Sequence, residues 1–130
     1  MKILIVEKEP ILLAVLDNQF RKMGFEVLGA VDGEQALDFV RSERVDLVIS
    51  NLLMPFSNGF ELLYEIREIQ ESKMPVIILE DMSTEKVIVE VFQQGASDFV
   101  AKPVQLQALA ARVMRYLPMI VEQNNRLKVA

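Results

Sequence analysis

Three apolar runs of strand length, Ile3-Leu4-Ile5-Val6, Leu47-Val48-Ile49 and Val76-Ile77-Ile78-Leu79, each stop abruptly at polar residues: Glu7-Lys8-Glu9, Ser50-Asn51 and Glu80-Asp81. Unbroken runs rich in β-branched residues read as strands buried on both faces, the habit of parallel sheets covered by helices. Weaker strand patterns lie at residues 25–30 and at Asp98–Ala101, the latter ended by Lys102-Pro103. Helical spacing fills every interval. Pro10 suits a first helical position, Leu13, Leu16, Phe20 and Met23 share a face, and Gly24 closes the helix. Asp32-Gly33-Glu34 opens a second helix with a narrow Ala36, Leu37, Val40 stripe, and Phe60, Leu63, Ile66 and Ile69 predict a third, one-faced helix. Ser83 or Thr84 can cap a fourth that runs to Gly95. From Leu106 the chain is helical to Leu117, is interrupted by Pro118, and resumes to Leu127. Parallel strands need crossovers, and right-handed crossovers leave a doubly wound α/β sheet with helices on both faces.

A chain of 130 residues that is 52% hydrophobic has material for one domain and one core. Its net charge of −5 argues against direct nucleic-acid binding, which needs clustered Lys and Arg. No run approaches transmembrane length and no signal-peptide core follows Lys2, so a cytoplasmic protein without a membrane segment is expected. With neither His nor Cys, no glycine-rich phosphate loop and no nucleophile-base pair, enzymatic chemistry is not expected.

Open α/β sheets place their chemistry at the carboxyl ends of the strands. Here that edge gathers Glu7, Lys8, Asn51, Glu80 and Lys102. The pattern resembles the receiver domain of response regulators in two-component signalling. The resemblance is carried by Lys2-Ile3-Leu4-Ile5-Val6 with Glu9-Pro10, by Val45 to Ile49 with Met54-Pro55 and Asn58-Gly59, by Pro75 to Leu79, and by Gly95 to Pro103. It implies a CheY-like, flavodoxin-like (βα)5 fold of five parallel strands in the order 2-1-3-4-5. A receiver domain is expected over residues 1–117, with residues 118–130 a helical extension or connector. Leu109, Val113, Tyr116, Ile120 and Leu127 fit a loose heptad with one polar slot, Gln123 or Asn124, read either as an extended last helix that frays or as a connector toward a dimer partner or an output domain.

The family carries a phosphoryl group from a histidine kinase on an Asp ending the third strand, with Mg2+ held by that Asp and two acids after the first. A Ser or Thr ends the fourth strand, and a Lys precedes the Pro after the fifth. By position the acceptor falls on Asn51, the acidic pair on Glu7 and Lys8, the hydroxyl on Glu80 and the lysine on Lys102. An amide oxygen is a poor nucleophile, and one carboxylate flanked by an ammonium and an amide is a poor magnesium site. The expectation is a receiver that cannot be phosphorylated, binds Mg2+ weakly or not at all, and signals through a protein partner or an output domain. Either these residues are solvated caps on strand ends, or they form a hydrogen-bonded cluster in which Lys8 and Lys102 oppose Glu7, Glu80 and Glu9. Reassignment of the pocket to a small anion or metabolite, with Lys8 and Lys102 as its positive groups, is the alternative function. Phe99 stands where the family has an inward-turning aromatic switch, and simple core packing is the other reading. Ile88, Val89, Val91 and Phe92 make the fourth helix apolar nearly all round, through deep burial or as a contact surface. Asp98 and Arg112 resemble part of the salt-bridge set by which some receivers form homodimers through helix 4, strand 5 and helix 5.

Overall fold

The computed structural model describes residues 1–81 and 84–129, the last four of these by backbone alone. The chain alternates β1 (Lys2–Val6), α1 (Pro10–Lys22), β2 (Glu26–Ala30), α2 (Gly33–Ser42), β3 (Leu47–Asn51), α3 (Gly59–Tyr64), β4 (Val76–Glu80), α4 (Glu85–Gln93), β5 (Asp98–Ala101), α5 (Leu106–Arg115) and α6 (Leu117–Val129). The strands form one parallel sheet in the order β2-β1-β3-β4-β5, as the resemblance implied.

Alternation within the strands divides the core into two layers. Leu4, Val6, Val48, Val76 and Ile78 face Leu62, Leu63, Ile66 and Val91 on the side of α2, α3 and α4. Ile3, Ile5, Leu47, Ile49, Ile77 and Leu79 face Leu16, Phe20, Leu109 and Val113 on the side of α1 and α5. Each such aliphatic side chain, fully buried, contributes about 1.5–3 kcal/mol, so the two layers are the main source of stability. Register then aligns the strand ends. Val6 lies opposite Ser50, Asn51 opposite Leu79, and Glu80 opposite Ala101, which brings the residues that follow each strand to a common edge.

Side chains cap α2, α3 and α4, of which the cap of α4 is the one the sequence predicts. Asp32 accepts from Gln35 N–H and Thr84 from Val87 N–H, while Ser83, the other expected cap, lies outside the described residues. Asn58 caps α3 in the same way. Gly33 and Gly59 are required by close approach: an added Cβ would stand 1.9 Å from the Ser57 carbonyl oxygen at the first and 2.9 Å from that of Asn51 at the second. These contacts seat the loop between β3 and α3 against the sheet edge.

Two expectations are corrected. The third helix widens into a π segment at Glu65–Ile69, closed by Gln70 N–H donating to the Glu65 carbonyl five residues back. The wider turn changes which residues share a face, so Ile66 is buried but Ile69 is 60% exposed. The C-terminal interruption falls at Tyr116, one residue before α6, and Pro118 sits in the first turn of α6, where its missing N–H costs nothing. Of the heptad positions, Ile120 is buried with Leu47 and Val113, Tyr116 packs on the same layer, and the Leu127 side chain lies outside the described residues. Farther along α6, Asn124 accepts from the Arg44 guanidinium at 2.6 Å.

Candidate functional site

Glu7 is the centre of the strand-end edge. It directly follows β1, continues the Ile3, Ile5 face, and is wholly buried. A buried carboxylate is costly unless its lone pairs and charge are satisfied, and here they are met by three neighbours. Lys102 Nζ lies 3.1 Å from Oε1, which also accepts the Glu9 N–H at 3.1 Å, and Asn51 Nδ2 donates to Oε2 at 2.8 Å. Lys102 leans also toward Glu9, 3.8 Å away. Asn51, 1% exposed, uses both ends of its amide. Its nitrogen serves Glu7 and its oxygen accepts the main-chain N–H of Lys8 at 3.1 Å. Strand parity explains the set: Glu7, Asn51 and Lys102 continue the Ile5, Ile49 and Val100 positions, all on the α1 and α5 side.

Lys8 and Glu80 do not join this network as expected. The Lys8 side chain is exposed and makes no ion pair among the described residues; only its main chain reaches Asn51. Lys102 already neutralises Glu7, so drawing a second ammonium out of water would gain little against its desolvation cost. Glu80 continues the Val76, Ile78 face, which points to the other layer. It is 6% exposed and forms no salt bridge among the described residues. Its Oε2 accepts Leu53 N–H at 3.1 Å and its Oε1 accepts Asp81 N–H at 3.0 Å. Those two main-chain amides and that of Glu9 are site groups that residue-type reasoning misses, because any residue type except proline could supply them.

Along the edge, Phe99 packs partly buried against the α3 and α4 layer. On α4, Val91 is buried, Ile88 is half-buried, and Val89 and Phe92 are 47% and 45% exposed, so the apolar excess of this helix faces outward rather than into the core. Ile88, Phe99, Ala101 and Arg112 line one shallow groove across α4, β5 and α5. Asp98 and Arg112 pair within the chain at 2.8 Å. Nearby, the Tyr116 hydroxyl donates to the Ser97 carbonyl at 3.0 Å. Burial, and then the Asp98 charge, push its phenol up from the ordinary value. Arg67, from the π segment, donates to the carbonyls of Gly95 and Ser72, and burial lowers its guanidinium from the usual value. No helix among the described residues is long and apolar enough to cross a membrane.

A five-stranded parallel sheet in the order β2-β1-β3-β4-β5, with polar residues gathered at the carboxyl ends of its strands, is a fold this chain shares with solved receiver domains. Residues 3–114 match the response regulator receiver domain family. The probable transcriptional regulator ycf27 of Porphyridium aerugineum is 31% identical over 128 residues, 97% of this chain and 52% of that protein. The response regulator GtcR of Aneurinibacillus migulanus is 33% identical over 122 residues, 94% of this chain and 50% of that protein. The signal receiver domain of a signal transduction histidine kinase from Syntrophus aciditrophicus superposes with a TM-score of 0.81 at 32% identity, covering 90% of this chain and 89% of that one. The chain belongs to the response regulator receiver domain family of two-component signalling, and it spans about half the length of the curated relatives it matches.

Proposed function

We propose that this receiver domain works without accepting a phosphoryl group and signals through contacts with a protein partner or an output domain. The observation that carries this reading is the Asn51 amide, donating from Nδ2 to Glu7 at 2.8 Å and accepting from Lys8 N–H at 3.1 Å. An Asp in that place would set a second carboxylate against Glu7 and would need a cation between them. Asn51 removes both the nucleophile and that need. The residues present do not fit Mg2+. The ion takes near-octahedral oxygen ligands, whereas Glu7 is the one buried carboxylate of this network, its oxygens engaged by Lys102, Asn51 and the Glu9 main chain, and the exposed Glu9 carboxylate leans toward Lys102.

Incubation with acetyl phosphate or beryllofluoride plus Mg2+, read by intact mass and backbone NMR, tests the proposal. The expected result is no adduct and no shift at Asn51, and a saturable shift there overturns it. The exposed Val89 and Phe92 of α4 support a protein contact as the output, with the groove across α4, β5 and α5, which half-buried Ile88 lines, the candidate homodimer face. On this reading residues 1–117 are the receiver and residues 118–130 the connector. The anion-binding alternative has less support, because Lys102 is committed to Glu7 and Glu9 and Lys8 stands in solvent.

A further inference from the structure

Glu80 is a buried acid for which the phosphorylation-independent reading supplies no role. Its carboxylate has no lysine or arginine partner among the described residues, yet both of its oxygens are held. The two donors are main-chain N–H groups from different loops: Leu53 belongs to the connection from β3 to α3, and Asp81 to the connection from β4 to α4. Main-chain N–H groups converging on one point form an anion cradle, and hydrogen bonds to an ionised acceptor are stronger than neutral ones. The anion in this cradle is part of the chain.

We propose that Glu80 is a built-in ligand, its carboxylate filling an anion site made by the Leu53 and Asp81 amides and thereby clamping the loop after β3 to the loop after β4. The site takes a small carboxylate or comparable oxyanion, and Glu80 holds it against any such group from solution. The proposal rests on the phosphorylation-independent reading and deepens it: the arrangement of the two loops that lead into α3 and α4 is set by a residue rather than by a transferred group. Glu80 also fixes the neighbouring strand, since its carbonyl accepts the Lys102 N–H at 2.9 Å, so the clamp and the Glu7 network share a border without sharing a side chain.

The test is backbone NMR with amide hydrogen exchange on the full chain and on Glu80→Ala, each with and without sodium formate, against matched sodium chloride. In the parent, formate is expected to leave the Leu53 and Asp81 resonances in place. In Glu80→Ala both amides should exchange about tenfold faster, as expected when a hydrogen bond is lost, and saturating formate should move both resonances back toward their parent positions. Parent amides that respond to formate, or variant amides that keep their protection or ignore formate, overturn the proposal. Should Glu80→Ala not fold, Glu80→Gln decides: its shape is conserved but only one of its two terminal atoms can accept. Faster exchange at one or both amides supports the clamp, and unchanged protection at both overturns it. A phosphoryl adduct on the parent chain would instead defeat the phosphorylation-independent reading, and the amide measurements would still report on the clamp alone.

Discussion

Glu7 and Glu80 are both buried acids at strand ends on the same edge of the sheet, and they are accommodated by opposite means. Glu7 is met mainly by side chains from distant positions, the Lys102 ammonium just after β5 and the Asn51 amide at the end of β3, with one main-chain N–H from Glu9. Glu80 is met by main-chain amides of two loops and no cation among the described residues. The first arrangement depends on residue type at distant positions and breaks when any one is replaced. The second depends on loop conformation and tolerates almost any side chain at Leu53 or Asp81. A sheet edge can therefore carry a coded site and an uncoded one side by side.

The contrast is broken most severely at Lys102. Lys102→Ala leaves the Glu7 carboxylate buried without its cation, and urea unfolding at pH 7 should show a loss of about 3–5 kcal/mol. Lys102→Ala with Glu7→Gln should recover much of it, since the uncompensated charge is then gone. Asn51→Asp comes next: it removes the donor to Glu7 and opposes two carboxylates, for an expected loss of about 1–3 kcal/mol. Thermal melts with and without Mg2+ sharpen the point, because the ion should raise the melting temperature of this variant and leave the parent unchanged. Tyr116→Phe, far from the edge, should cost about 1 kcal/mol through its bond to the Ser97 carbonyl. Its phenol is raised in the folded state, so the unfolded chain ionises first. Stability from this group is full below about pH 10 and is lost as pH rises toward the folded value. Alkaline unfolding of the parent should therefore be steeper than that of Tyr116→Phe. Lys8→Ala, at the bottom of the scale, should change stability by less than about 0.5 kcal/mol, because the exposed ammonium makes no ion pair among the described residues.

The scaffold was legible because it follows from patterns that repeat: five strands, placed to within about a residue or two, and a strand order implied by resemblance. The site was legible in its members and less so in its pairings. Period-two alternation already separates Glu7, Asn51 and Lys102, which continue one face, from Glu80, which continues the other, and weighing that parity would have kept Glu80 out of a common charge cluster. Lys8 follows the same logic. What residue types do not encode is the direction of main-chain N–H groups in the loops at Leu53 and Asp81, or the extra residue that widens the turn at Glu65–Ile69. Both arise from packing of the whole and carry no local sign. The break at Tyr116 rather than Pro118 is of a milder kind, since proline at the second position of α6 starts a helix as readily as it ends one.

All five residues of β3 are buried, and the strand is bounded by two quite different attachments. Asn51 ends it in the polar network, while Arg44, three residues before it begins, holds Asn124 of α6, and Leu47 packs in the layer that buries Ile120. Mechanically the strand is a strut of about 17 Å, five residues at about 3.3 Å each. Through Arg44 and Leu47, α6 is thus tied to the amino end of the same strand whose carboxyl end carries the Asn51 amide.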